Sequence, residues 1–521
     1  MYQPKSNPTF KKKKDIELDW NTFNGGLNTL FKPTELRDNE LSQADNLMLV
    51  GQGTPTGRWG SQTYFMAGAS KINLLDAYYN STASTNVLLA ITNDGYMVKK
   101  SSASYSIITG ASFASGFSYQ SAQLGGNTYI ASASLNFVKF DGTNLIPYVG
   151  ISTPTNVSIA QLSAASGFNT YSWRISAISN TGETLAAVSK SLASLPLDLA
   201  ETSIKVSWNT VSAASGVLKG YNIYRGFPGD ETWVAGLDST AVQFTDTGIA
   251  ASEIIFPSNT DTTAGPRAKY VLKFDDRLIL AGITGDPSIV YISGRYPYHD
   301  RFTAIDGGGW IYVSPDDGDF ITGLGVANQQ TQNPVILVFK NNSVHAISLG
   351  TVNIGSFVIL DPVVHLLTSS TGCSSGDTII SVENDTFYFG RKGLYSIGSE
   401  PNFLNQIRTN EISARIRPYI QNLTDQDFKE AVASYIDYKY IISFPSKKEA
   451  IIYDRQRGAF MGPWTTSSPN FGITKLFKYY DSSGVEVWLA GCTDGYVRQL
   501  TEGLVSDSGT AIAKTLRTGK S

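Results

Sequence analysis

The residues able to do chemistry are few and widely spaced. Histidine occurs three times, at His299, His345 and His365, and cysteine twice, at Cys373 and Cys492. No His-x-x-x-His or Cys-x-x-Cys pair accompanies them, so the ligands of a zinc site are not gathered at ligand spacing. The two thiols read as small buried hydrophobes rather than as a disulfide framework. His345 falls in mid-strand, and His299 lies in the loop Tyr296-Pro-Tyr-His-Asp300, where packing or a partner contact explains a histidine better than catalysis. The acidic cluster Asp316, Asp317 and Asp319 raises a calcium reading, because a hard cation wants several closely spaced carboxylate oxygens. A 12-residue loop closed by Glu is missing there, and a polar turn after Pro315 accounts for the same residues.

Enzyme signatures are weak elsewhere. Gly519-Lys-Ser521 lacks the upstream glycine and following helix of a phosphate loop, and the sialidase-type Ser-x-Asp-x-Gly-x-x-Trp repeat is not present. The expectation is a non-enzyme with no catalytic residue and no cofactor. The strongest charge feature is the run Lys11, Lys12, Lys13 and Lys14. Its phosphate contacts alone would bind nucleic acid only at about 10⁻⁴ M. Two readings of it stand side by side: a solvated arm, or an assembly arm that orders against an acidic surface of a neighbouring subunit. Trp233, Tyr296, Tyr298 and Trp310 are aromatics at loop-like positions that could stack on sugars.

The elements that must carry these residues are strands. Tyr 27, Phe 25 and Gly 48 among 521 residues, with abundant Ser, Thr and Val, favour short strands and tight turns. A hydrophobic fraction of 41% can fill a large core, while 16% charge is low for a free-standing surface and points to burial in an assembly. The net charge of -3 gives no general pull towards nucleic acid or anionic membrane. No secretory leader is read, and the longest apolar runs, such as Pro334-Val-Ile-Leu-Val-Phe339, are too short to span a bilayer; a soluble protein made in a cytoplasm, with no membrane insertion, is expected.

One unit recurs: a short apolar strand, a turn, and a second strand with an aromatic or β-branched core. Its copies start at Leu88, Thr128, Leu278, Val335, Thr386, Tyr440 and Val487, and their turns use Asn-Asp-Gly, Asn-Asn, Lys-Gly or Thr-Asp-Gly. The starts lie about 40 to 57 residues apart outside one long gap, the length of a four-stranded propeller blade. The predicted fold is all-β, a β-propeller of six or seven blades, against the alternative of serial two-sheet sandwiches or an irregular β-rich body.

The gap, residues 152–262, alternates differently in Thr170-Tyr-Ser-Trp-Arg-Ile-Ser-Ala-Ile178, Ile204-Lys-Val-Ser-Trp208 and Gly220-Tyr-Asn-Ile-Tyr-Arg225. It resembles an inserted immunoglobulin or fibronectin type III sandwich, but its Tyr-rich strand precedes the Trp strand, so a permuted module or one borrowing strands is expected. The divisions expected are an arm at 1–30, propeller at 31–151, the insert, and propeller at 263–521. A helical patch is expected over Asn410–Arg417 and Thr424–Val432, with Thr424 and Asp427 as an N-cap signature.

Several segments in shared order resemble the podophage tail hub, or tail nozzle, family. They are Phe23-Asn-Gly-Gly-Leu-Asn28, Leu36 to Asn46, Gly57-Arg-Trp-Gly60, Asp316 to Leu324, Leu337 to Lys340 and Val344 to Ile347. Gly393 to Gly398, the helical patch before Tyr440, Ile452-Tyr-Asp454 and Gly462-Pro-Trp464 complete the set, while members of the family often continue past a motif like Asp507 to Ile512, where this sequence departs from them. Each is of low specificity alone. The resemblance implies a structural β-propeller subunit of a bacteriophage tail, assembled in the host cytoplasm into the virion. It further implies a homomeric ring, by analogy a hexamer, below the portal and adaptor and beside other tail proteins, lining the channel through which double-stranded DNA passes without specific binding. The alternative is an adhesion propeller that binds a receptor or glycan.

Overall fold

The computed structural model describes residues 22–519, apart from 82–84, 102–103, 149, 164, 180–181, 214–216, 258–262, 328–333, 355–356, 401–405, 467–470 and 482. The basic run Lys11 to Lys14 lies outside the described residues. The chain is nearly all β and propeller-like, built from many small antiparallel sheets.

Seven antiparallel four-strand units follow one another, the sixth and seventh extended by further strands into a seven-stranded and a six-stranded sheet. The first five run over Ile72–Asn80 to Ser104–Ile108, Gln120–Leu124 to Leu145–Pro147, Ala268–Phe274 to Gly309–Tyr312, Ile321–Ala327 to Phe357–Thr368, and Ile380–Val382 to Gln406–Glu411. The sixth is Val432–Ile436 to Ala459–Thr465. The seventh takes three strands from Ile473–Tyr480, Glu486–Cys492 and Tyr496–Thr501, and its fourth from the other end of the chain, Gly60–Met66. The first strands pack side by side in chain order, and Ile473–Tyr480 returns to Ile72–Asn80, so the series closes on itself.

The recurring sequence unit is the middle hairpin of each sheet. Val335–Lys340, for example, is buried at every residue after its first, because neighbouring sheets cover both its faces. Burying each such Leu, Ile or Phe stabilises the fold by about 1.5–3 kcal/mol. The turns follow the expected chemistry, with Gly95 at φ +95 and Gly495 at φ +83 in the two Asp-Gly turns.

Between the second and third sheets the chain makes two sheets of its own. Ser158–Gln161, Ile204–Ser207 and Gln243–Asp246 form one; Lys190–Leu195, Asn169–Ser179, Leu218–Gly226 and Thr232–Asp238 form the other. A single buried cluster, with Trp173, Ile175 and Tyr221 from one sheet against Ile204 and Val206 from the other, joins them. The fully buried Trp173 indole donates to Asp246 Oδ2 at 2.9 Å, pinning sheet to sheet.

The helical patch lies between the fifth and sixth sheets and differs from expectation at its start. Asn410 and Glu411 belong to the edge strand Gln406–Glu411, paired with Gly393–Glu400, because they complete a ladder that a helix would leave open. Helix follows over Arg417–Gln421 and Asp425–Glu430, and Thr424 caps the latter through a reciprocal box with Asp427.

Candidate functional site

Two sets of buried polar contacts organise the ring. The first lies where the two ends of the described chain meet. Arg58, 5% exposed, follows Gly57 in an otherwise apolar setting. Its Nε donates to Asn46 Oδ1 at 3.0 Å, Nη1 to the Trp59 carbonyl at 2.8 Å and to Asp507 Oδ1 at 3.2 Å, and Nη2 to the Thr465 carbonyl at 2.9 Å and to Asp507 Oδ2. All five guanidinium donors are used, which is what a buried arginine requires. Asn46, in the left-handed region at φ +55, also accepts from Thr465 N at 2.7 Å and donates to the Ala513 carbonyl at 2.8 Å.

The flanking residues explain the spacing. A Cβ on Gly60 would stand 2.3 Å from the Ser506 carbonyl, so only glycine lets the C-terminal segment cross there. Trp59 meets Trp464 edge-on at 6.2 Å, and the Trp464 indole donates to the Leu47 carbonyl. Thus Asn46, Gly57-Arg-Trp-Gly60, Trp464 and Asp507, far apart in sequence, form one clasp.

The second set closes the axis. Asp377 sits in the turn that leads into the fifth sheet, and its carboxylate accepts from Ser118 Oγ at 3.1 Å and Gln120 Nε2 at 3.1 Å at the start of the second sheet. It also accepts from Lys475 Nζ of the seventh sheet at 2.6 Å, and Lys475 reaches Ser118 at 3.2 Å. In a cycle of seven, the second and fifth members lie on opposite sides, so these bonds span the axis. Burial alone would raise the Asp377 carboxyl. The Lys475 charge and the bonds from Lys475, Gln120 and Ser118 outweigh it and hold the group below the usual carboxylate range. A Cβ on Gly376 would stand 2.7 Å from the Thr322 carbonyl, so glycine lets this turn sit against the fourth sheet. Beside the brace opens a cavity of about 280 Å³ lined by Lys269, Tyr270, Phe320, Ser374 and Asp377 among others.

The residues singled out in the sequence are not brought together. Asp317 pairs with the fully buried Lys340 ammonium at 2.8 Å, and Asp319 binds the Asn341-Asn342 turn through both its oxygens. Asp316 takes the left-handed conformation at φ +62. Among the described residues, no group of three or more His, Cys, Asp or Glu stands where it could hold a metal ion. His299 is buried, its Nε2 bonded to the Tyr129 hydroxyl at 2.9 Å and its ring stacked on Tyr296; burial lowers its pKa. His345 is buried beside Ser343, and His365 is exposed in an outer strand. Tyr296, Tyr298 and Trp310 are exposed, at 64%, 46% and 56%, and Tyr296 and Tyr298 line a cleft with Arg277, Arg295 and Leu360. Trp233, expected with them, is instead packed in the insert, its indole donating to Asn222 Oδ1 at 3.0 Å.

One string that sequence reasoning passed over, Gly372-Cys-Ser-Ser-Gly376, spells the letters of a nucleophile elbow. It lies in a loop before a three-residue turn rather than between a strand and a helix, and none of the histidines is a hydrogen-bond partner of Ser374. Sequence reasoning also missed Asp377, Lys475 and Lys269. Lys269 and Lys475 lie near the beginning of a first strand and Asp377 in the turn before one, a placement that the hydrophobic pattern does not mark.

No protein-family model matches the chain, and no curated protein matches it. Among solved structures it is similar to a computationally designed protein, Ika8, with 10% identity, a TM-score of 0.34, and coverage of 85% of this chain and 99% of that one. It is also similar to BBS1N, solved in complex with ARL6DN, with 8% identity, a TM-score of 0.34, and coverage of 86% and 99%. Apo AztD from Citrobacter koseri gives 9% identity, a TM-score of 0.32, and coverage of 81% and 94%. These scores are too low to assign a shared fold.

Proposed function

We propose that the chain is a structural, non-enzymatic subunit of a bacteriophage tail nozzle: a seven-bladed β-propeller carrying a permuted immunoglobulin or fibronectin-like insert. In this reading it assembles as a homomeric ring, a hexamer by analogy, below the portal and adaptor. Each four-stranded meander is a blade. In the insert, the strand Asn169–Ser179 takes the place of the late Tyr-rich strand of the standard module and Ile204–Ser207 that of the earlier Trp strand.

The observation that carries the reading is the clasp. Three of the segments whose shared order resembles the tail nozzle family contribute Asn46, Arg58 and Trp464 to one buried cluster, which Asp507 closes. The braced axis supports a further point: DNA would pass beside such subunits, along a wall shared by the ring, and not through the hole of any one of them. Mass photometry and negative-stain microscopy, on the protein alone and with its portal-adaptor complex, are expected to show rings. Monomers under both conditions overturn the proposal.

A second reading, a receptor- or glycan-binding propeller, is favoured by the exposed Tyr296 and Tyr298 in a cleft of about 610 Å³. A glycan array that gives no signal above background removes it.

A further inference from the structure

The insert ends in an apolar cluster turned to solvent. Its base is at the propeller, where Ser179 Oγ donates to the Thr263 carbonyl at 3.0 Å and the Ile151 N–H to Thr263 Oγ1 at 3.1 Å. The strand Asn169–Ser179 starts at the other end, about 33 Å away at roughly 3.3 Å per residue. There Tyr171 ties two loops together: its ring stacks on Phe227 at 5.1 Å, and its hydroxyl donates to the Leu197 carbonyl at 2.7 Å. Gly167 fits against Leu195 and Pro196, where a Cβ would stand 2.2 Å from the Leu195 carbonyl oxygen, and so sets Phe168 beside them. Phe168 is fully exposed, Leu197 73% and Phe227 49%. One such residue is ordinary, but three together on loop tips mark an interaction surface.

The charge beside the cluster has one sign. Asp198, Glu201 and Asp230 are exposed, and the ion pairs of the insert among the described residues, Arg174 with Glu231 and Arg225 with Asp246, use other carboxylates. No Lys or Arg occurs in 162–168, 195–203 or 226–231. A fitting partner brings an apolar side chain together with positive charge, which an anionic membrane does not. The chain itself holds one segment of that chemistry. Residues 1–14 contain five lysines and no acid, with Phe10 directly before Lys11. The segment joins the described chain at Thr22, which lies with Asn24, Gly51 and Arg457 at the outer edge of the sixth sheet. In a cycle of seven the sixth member lies across the axis from the second and third, between which the insert springs. The root of the arm and the insert therefore sit on opposite sides of one copy and face each other between copies placed head to tail. The twelve residues from Phe10 to Thr22 span about 40 Å when extended, enough to bridge to an adjoining copy.

We propose that the N-terminal arm of a neighbouring copy docks on this tip, with Phe10 against Phe168, Leu197 and Phe227 and with Lys11 to Lys14 facing Asp198, Glu201 and Asp230. The proposal rests on the assembly reading in one respect, that the arm comes from another copy. Full-length protein with photoreactive benzoylphenylalanine in place of Phe10 can be irradiated as a mixture of isotopically heavy and light copies, with and without the portal-adaptor complex, and the cross-linked peptides identified by mass spectrometry. Heavy-to-light cross-links to the loops bearing Phe168, Leu197 and Phe227 are expected. Phe168→Ser is expected to reduce them about tenfold or more and to leave the melting temperature unchanged, because a fully exposed side chain holds nothing else in place. Glu201→Lys with Asp230→Lys is expected to reduce them as well, and changing Lys11 to Lys14 to Glu in that variant to restore them. Cross-links confined to one copy, cross-links to another surface, no cross-links, or a yield that Phe168→Ser leaves unchanged each overturn the docking. Rings without tip cross-links remove the docking and leave the ring; tip cross-links between copies that form no ring remove the ring and leave the docking.

Discussion

Arg58 and Asp507 are 449 positions apart in the chain and form a buried ion pair. The pair joins the start of the described chain to its last strands, at the edge where Gly60–Met66 completes the seventh sheet. Because Asn46, Trp59 and Thr465 take up the remaining guanidinium donors, no simpler side chain can replace it.

Removing one member of such a pair strands the other. Arg58→Ala is expected to destabilise the protein by about 3–5 kcal/mol, and Arg58→Lys by nearly as much, because one ammonium cannot reach five acceptors spread around a plane. Urea unfolding followed by tryptophan fluorescence measures this. In the double variant with Asp507→Ala the losses should fall well short of their sum.

The axial brace behaves as a depressed carboxyl. The Asp377 value is lowered in the folded state, so the stability it contributes is present above the unfolded carboxylate value and is lost as the pH falls through the lower folded one. Asp377→Asn is expected to cost about 1–3 kcal/mol near neutral pH, below the full cost of breaking a buried pair because both partners keep some solvent contact. The gap between native and variant should shrink below about pH 4. A gap that stays constant with pH would show that the charge contributes nothing.

Asp76 has the opposite sign. It lies in the first strand of the first sheet, accepts from Ser121 and from Ala77 N at 2.8 Å, and burial raises its pKa. Its contribution is therefore complete below the unfolded carboxylate value and declines as the pH climbs through the raised folded one. Asp76→Asn, measured by thermal melts across the acid-to-neutral range, should gain on the native protein as the pH rises.

Both thiols should be silent. Burial pushes Cys373 up to about 11 and Cys492 up to about 12, and neither is accessible. An aromatic disulfide reagent is expected to titrate no thiol in the native protein at pH 8 and both after denaturation. Rapid labelling of either residue would mean that its sheet opens.

How far the sequence could be read depended on burial. All seven middle hairpins were legible, because each has two apolar strands and five of them a turn marked by Gly, Asn or Asp; the turns at Ala133-Ser134 and Pro445 to Lys448 have none. The strands on either side were not: Gln120–Leu124 reads Gln-Ser-Ala-Gln-Leu, polar because it lines the axis, and Gln406–Glu411 is polar because it is an edge. Asn410 and Glu411 were assigned to a helix for the same reason. The motif around Arg58 was visible as a string, but its purpose was not, since Asp507 and Thr465 reach it only through the closure of the ring. Asp377 carried no local mark, and Lys475 lies 98 positions away. Trp233 looked like a surface aromatic because its partner, Asn222, sits across a hairpin.

Gly60–Met66 is made early and used late. The strand leaves the ribosome more than 400 residues before Tyr496–Thr501, its partner, exists. At about 5–20 residues per second that is a wait on the order of tens of seconds, with a strand edge exposed to any other chain emerging nearby. Synthesis therefore sets a clock on this protein: every newborn copy passes through a period in which this early strand is open to capture by the unfinished seventh sheet of a neighbour, and crowded translation is the condition under which such exchange becomes measurable.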